Sequence, residues 1–270
     1  MPLSKVRIAI FLAIALALLF IVNLTIYETS AAIFALHSAI YLLVLGSFVG
    51  GLSVSFILST LLGMRYYNWF TRIYYTISAV WIGFVVYLFL VSIIFGLLLI
   101  LHMPSLTLAG KWLLAAALIT GLYGVLHARR IHIKQVNIAL LNLPSWWRGK
   151  KVIFASDLHL GQLHGVSWAR YVVEKINSLP HEAVFIGGDL FDGTGAFDVD
   201  ELIVPFKNLT ATKGAFFITG NHEEFGNNSK FIAAIHGCGI RILMNEIVTI
   251  EGLQIVGVDY AEASEKENFR

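Results

Sequence analysis

Cysteine is nearly absent: Cys238 stands alone in 270 residues, which excludes an internal disulfide and fits a reducing compartment. Charge is scarce as well. Asp, Glu, Lys and Arg together make up 13% of the chain, about half of what a soluble domain carries, and the formal net charge is only +2. So small a positive excess gives nucleic acid little to bind. What fills the chain instead is apolar, at 57% hydrophobic residues and a mean hydropathy of +0.76, too much for an ordinary soluble domain. The excess is uneven. Residues 1–127 hold nearly all the long uncharged runs, whereas residues 128–270 hold most of the charge. The chain therefore reads as an all-α membrane bundle, 1–127, a juxtamembrane strand and linker, 128–150, and a globular domain, 151–270.

Four stretches approach the roughly 20 apolar residues that cross a bilayer: 7–26, 33–61, 74–101 and a shorter 112–127. Lys5 and Arg7 precede the first, Arg65 and Arg72 separate the second from the third, and Arg129, Arg130 and Lys134 follow the fourth. Under the positive-inside rule both termini and the globular domain face the cytoplasm, in a bacterial plasma membrane. The first stretch also has the basic start and small residues, Ser30 to Ala32, of a signal peptide, although its apolar run is long for one. Gly46, Gly50 and Gly51 would let another helix come close, or mark a merely flexible span.

Residues 131–140 alternate apolar and polar and predict an edge strand. Trp146 and Trp147 follow, flanked by Arg148, Lys150 and Lys151. Two readings stand side by side: an anchor in the lipid headgroups, or a turn whose indoles pack on the domain.

From residue 151 short apolar runs alternate with amphipathic stretches. "KVIFASD", "AVFIGGD" and "AFFITGNH" have strand length without alternation, which predicts a parallel sheet covered on both faces. Helices are expected over 166–178, with Trp168, Tyr171, Val172 and Ile176 on one face, over 199–209, shortened by Pro205, and over about 229–236. A hairpin turning at Glu251 and Gly252 is expected near the end. The globular domain is α/β.

Each of the three runs ends in polar residues of one chemical type. Asp157 and His159 follow the first, two apart, so that in extended backbone they point the same way. Asp189 follows Gly187 and Gly188, and Asn221 and His222 follow Gly220. Sites in open parallel sheets lie at the carboxyl ends of strands. Carboxylate, imidazole and amide oxygen suit a divalent ion such as Mn, Fe or Zn. Each piece alone reads equally well as a turn or a cap; three strand ends in order point to a metal.

"DLH" at 157–159, "GDLFD" at 188–192 and "GNHE" at 220–223 resemble, in order and spacing, the first three blocks of the calcineurin-like metallophosphoesterases. The preceding spans and the "ARRIHI" junction resemble the membrane-anchored branch. The resemblance implies a sandwich domain and a hydrolase with two divalent metal ions. Asp157 and His159 would hold the first ion, Asp189 would bridge both and Asn221 would bind the second. His222 would act at the leaving oxygen, Asp192 would orient His222 or a ligand, and His164 could touch substrate. The substrate would be a phosphoester or pyrophosphate, with a lipid-linked one suggested by the bilayer as partner. The family's later histidine blocks, Gly-His and Gly-His-x-His, do not occur before Arg270, so a C-terminally incomplete domain is expected. His181 and His236 read as solvated surface residues.

Two other functions remain open at this point. One is a catalytically impaired membrane protein whose phosphoesterase-like domain binds a ligand or partner. The other is a transporter working through its spans, disfavoured by their few acidic residues and the lack of a repeat.

Overall fold

The computed structural model describes residues 5–193, 195–226 and 228–265; the last five residues of the expected globular domain lie outside them. By packing, the chain forms two compact units. One comprises residues 1–61 and 73–132, the other 62–72 and 133–270.

The first unit is helical. Its elements belong to α1 (Lys5–Ile33), α2 (Ala39–Arg65), α3 (Trp69–Ile100) and α4 (Leu106–His127). Each contains a stretch long and apolar enough to cross a membrane. Polar residues inside these helices bond to their own backbone: Asn23 Nδ2 donates to Leu19 O, and the hydroxyls of Ser53, Ser78 and Ser92 donate to carbonyls one turn back. That removes much of the cost of a polar group in an apolar medium. Of the glycines in the second span, Gly46 lies against the Tyr27 ring of α1, whereas Gly50 and Gly51 face open space. The tightest approaches are in α4, where Gly110 packs against Ile33 and Phe95, and Gly121 against the Phe84 ring. Packing partners, not glycine spacing, decide where helices touch.

In the second unit β1 (Val152–Ala155), β2 (Ala183–Ile186), β3 (Ala215–Phe217) and β4 (Arg241–Ile242) form a parallel sheet in that order. β2 is covered, with Ala183, Val184 and Ile186 at 1% exposure or less. β1 is not: it is an edge strand, and Phe154 is 68% exposed. Its unbroken apolar run therefore misstates its cover. α5 (Val166–Asn177) buries Ala169, Val172, Val173 and Ile176, one stripe at helical spacing, and leaves Tyr171 outside it. α6 (Val199–Ile203) starts on Asp198, whose carboxylate accepts the amides of Asp200 and Glu201. It gives way to a 3-10 turn, Val204–Asn208, carrying Pro205, as a proline without an amide hydrogen dictates. α7 (Asn221–Phe225) and α8 (Asn228–His236) follow β3, and α8 stops before Gly239 at φ 77°.

The hairpin β5 (Glu246–Ile250) and β6 (Leu253–Gly257) turns at Glu251 and Gly252, at φ 48° and 80°, the left-handed pair that matches strand twist. α9 (Tyr260–Ser264) ends the described chain. Trp147 sits between hairpin and sheet, 4% exposed, packed with Ala183, Phe216, Leu243 and Val248. Its indole donates to Ile250 O at 2.9 Å. Trp146 lies under two ammonium groups, those of Lys150 and Lys213, 4.9 and 4.5 Å from its ring centre. Trp147 thus belongs to the core of the domain, and Trp146 packs, half-buried, at its margin. Residues 131–140 form no strand; Ile133, Val136, Ile138 and Leu140 are exposed. Alternation alone does not make a strand; the segment must also pair with one.

Candidate metal centre

Register brings the three loops together. Ala155 of β1 lies opposite Ile186 of β2, which lies opposite Phe217 of β3, so the strands end level. Neighbouring strands are about 4.8 Å apart, and loops leaving level ends start side by side. The first two then stay bonded. Asp157 N donates to Gly188 O at 3.2 Å, His159 N to Asp189 O at 3.0 Å and Leu160 N to Leu190 O at 2.8 Å. Gly188, at φ 86°, has the Gly220 backbone where a Cβ would be, so the second and third loops touch there as well.

The residues expected as ligands are not in extended backbone. Asp157, His159 and Asp189 have φ of 56°, 45° and 51°, the left-handed region that side chains other than glycine's rarely adopt. Such strain costs about 1–3 kcal/mol per residue and persists where surrounding structure enforces it, commonly at functional sites. The alternation inferred from the Asp157/His159 spacing does not hold, because β1 ends two residues before Asp157.

His159, Asp189 and His222 each offer a donor atom within 4.8 Å of the other two. The two imidazoles meet edge to face, their centres 4.6 Å apart. Asp189 is 9% exposed, and its Oδ1 accepts the His222 amide at 2.9 Å. A buried carboxylate between two imidazoles, held by strained backbone, fits a divalent cation. Asp157 lies beside this group: its Oδ1 is 3.9 Å from His159 Nε2, and its side chain is two-thirds exposed. Asn221 opens α7 next to His222.

Asp192 stands behind the first imidazole, Oδ1 3.5 Å from His159 Nδ1. Burial raises its pKa, opposed by His159, His222 and His164. His164 bonds through Nδ1 to Leu158 O at 3.1 Å and stacks on Trp168 with ring centres 4.9 Å apart. Burial lowers its pKa, opposed by the Leu158 carbonyl and by Asp192. His236 is exposed. His181 is not simply solvated: its two ring nitrogens contact Leu179 O and Thr210 O at 2.7 and 2.6 Å.

One organising residue escaped the sequence reading. Glu223 is fully buried and accepts four backbone amides: Asp189 and Gly220 at Oε2, both at 2.9 Å, and Leu190 and Phe191 at Oε1, at 2.9 and 3.2 Å. It ties the second loop to the third. The available signal was its place three residues after Gly220, where a capping-box glutamate returns to the first amide of a helix.

Comparison with known proteins agrees with this geometry. A family model, "Calcineurin-like phosphoesterase", matches residues 150–257. An "Uncharacterized metallophosphoesterase" of Helicobacter pylori (strain ATCC 700392 / 26695) is 33% identical over 119 residues, 44% of this chain and 32% of that protein. A "Transmembrane protein with metallophosphoesterase domain" of Bos taurus is 27% identical over 143 residues, 49% of this chain and 32% of its own length. A Danio rerio protein of the same name is 26% identical over 154 residues, 54% of this chain and 35% of its own. The chain thus spans about a third of the length of these relatives. No solved structure matches the chain. With the matched stretch taking in all three strand ends and the donors that follow them, residues 150–257 are a calcineurin-like metallophosphoesterase domain, on the same chain as four helices able to span a membrane.

Proposed function

We propose that this protein is a membrane-anchored, divalent-metal-dependent phosphoesterase that hydrolyses a phosphoester or pyrophosphate, with two ions held between the three loops. The observation that carries the reading is the convergence of His159, Asp189 and His222 from three separate strand ends. Bound divalent ions of this family would supply an activated water and a clamp on the phosphoryl oxygens. His159 and Asp157 would serve one ion, Asp189 both, and Asn221 the other. His222, beside Asp189 and edge-on to His159, would hold a proton for the leaving oxygen. Asp192 would keep the His159 ring turned, as carboxylates behind ligating histidines do. Mn, Fe or Zn suits this donor set.

The apolar helices on the same chain support a substrate presented at the membrane, and a lipid-linked phosphoester is the favoured class. That preference rests on the helices, since Trp147 is buried inside the domain. The arginines flanking the second, third and fourth spans support a cytoplasmic domain, and the Helicobacter pylori relative favours a bacterial plasma membrane.

A second reading draws on the same cluster. One carboxylate and two imidazoles suffice for a single ion, which favours a domain that binds a phosphorylated ligand or a partner without turnover.

The test is metal content and hydrolysis by the full chain in detergent, offered a soluble chromogenic phosphodiester and a lipid-linked pyrophosphate in micelles. Asp189→Asn should lose metal and turnover together. His222→Ala should keep its metal and lose about 100-fold or more in turnover. Metal lost from the His222 variant would make His222 a ligand. A metal-loaded wild type inert on both substrates would favour the binding reading, and turnover of the soluble substrate alone would sink the lipid-linked one.

A further inference from the structure

The last carbonyls of a helix have no partner within it. α2 ends at Arg65, and two carbonyls at this end, those of Gly63 and Tyr66, are taken by one side chain from far along the sequence. Gln162 Nε2 donates to Gly63 O at 2.7 Å and to Tyr66 O at 3.3 Å. Gly63 O also accepts the amide of Ala196 at 3.1 Å. One carbonyl thus fastens both the loop after His159 and the loop after Asp192. Arg72 reinforces the join, its Nε donating to Gln162 O at 3.3 Å and its guanidinium lying against Gly165. These contacts all lie within one compact unit, because the segment Leu62–Arg72 packs with the phosphoesterase domain. Gln162 is 5% exposed.

The fastened loop reaches the metal centre. Asp192 N donates to Leu160 O at 2.9 Å, and Gly161 lies so close to the Asp192 side chain that a Cβ would meet it at 2.7 Å. Asp192 in turn faces His159 Nδ1. Movement of the loop would shift Asp192 and turn the imidazole away from Asp189.

We propose that the segment Leu62–Arg72, between the second and third spans, is a structural part of the metal centre, with Gln162 as the residue that positions Asp192 and His159. This rests on the metal reading of the site. It also means that the phosphoesterase domain is not self-sufficient: the connection between two spans completes the setting of its ligands.

The test uses the full chain in detergent with Mn2+ alone as probe, and compares wild type with Gln162→Ala, Gln162→Glu and Asn177→Ala. Asn177 makes a similar tie away from the site, to Asn208 O and to Thr210. Gln162→Ala should weaken Mn2+ binding about tenfold or more, the usual effect of losing a group that orients a ligand. By hydrogen exchange, peptides covering 158–166 and 190–197 should lose protection while β2 keeps it. Gln162→Glu, close in shape but with no hydrogen to donate to the two carbonyls, should lose affinity and protection as Gln162→Ala does, and a Gln162→Glu protein that kept both would count against the proposal. Unchanged exchange in both loops of Gln162→Ala would overturn the proposal. So would loss of protection throughout the domain, or an equal loss of Mn2+ affinity in Asn177→Ala. A wild type that binds no Mn2+, yet whose two loops loosen in Gln162→Ala, would refute the metal reading and leave the anchoring of the loops standing.

Discussion

Replacing Glu223 by glutamine is close to isosteric and should still be among the most damaging single changes in the domain. The carboxylate spreads four amide donors over two oxygens, two on each. Glutamine keeps one oxygen and turns an NH2 toward the other pair, so two buried amides lose their acceptor and face another donor. An unsatisfied buried amide costs about 1–3 kcal/mol, so the pair should cost about 4 kcal/mol. Against a typical domain stability of about 5–15 kcal/mol that is a large share. At about 2–4 °C per kcal/mol for a unit of this size, thermal unfolding should shift down by roughly 10 °C. Metal affinity should fall with it, because whichever way the side-chain amide turns, the loop carrying Asp189 loses backbone ties: that of Asp189 itself on one oxygen, or those of Leu190 and Phe191 on the other. Differential scanning fluorimetry of the full chain in detergent, with and without Mn2+, reads both effects. A Glu223→Gln protein melting within about 2 °C of wild type, with undiminished Mn2+ binding, would refute the view that Glu223 joins the second and third loops.

Trp147→Ala should cost about 3–5 kcal/mol, as for other large-to-small changes in a core, and should free Ile250 O; the same melt reads it, and a shift under about 3 °C would show that the hairpin holds to the sheet without the indole. His164 gives a pH dependence of definite sign. Its folded pKa lies below 6.5, so folding favours the neutral ring; that contribution is present above pH 6.5 and is lost as pH falls from there through the folded value. The melting temperature should therefore decline more steeply in wild type than in His164→Gln below pH 6.5, and parallel declines would contradict the assignment.

Much of this protein follows from local pattern. Runs of uncharged residues near 20 or more can only be helices able to lie in lipid, because every backbone polar group must then be satisfied within the segment. The stripe of Ala169, Val172, Val173 and Ile176 requires a helix, Pro205 requires its end, and Glu251-Gly252 requires a tight turn. The types of residue at Asp157, His159, Asp189 and His222, each following an apolar run, already pointed to a metal.

What local pattern could not decide is whatever depends on partners distant in sequence. Level strand ends, and hence the meeting of His159, Asp189 and His222, arise from the register of three parallel strands. The positive φ of Asp157, His159 and Asp189 is imposed by neighbouring loops against local preference. The same holds for Trp147, equally suited by its neighbours to lipid or core until the hairpin folds over it, and for residues 131–140, whose alternation pairs with none of the described strands. Glu223 and Gln162 are ordinary polar residues until tertiary structure surrounds one with four amides and sets the other against the end of a helix some hundred positions earlier. A hydrogen bond is specified by two groups at once, and the sequence near either one carries only half of that information.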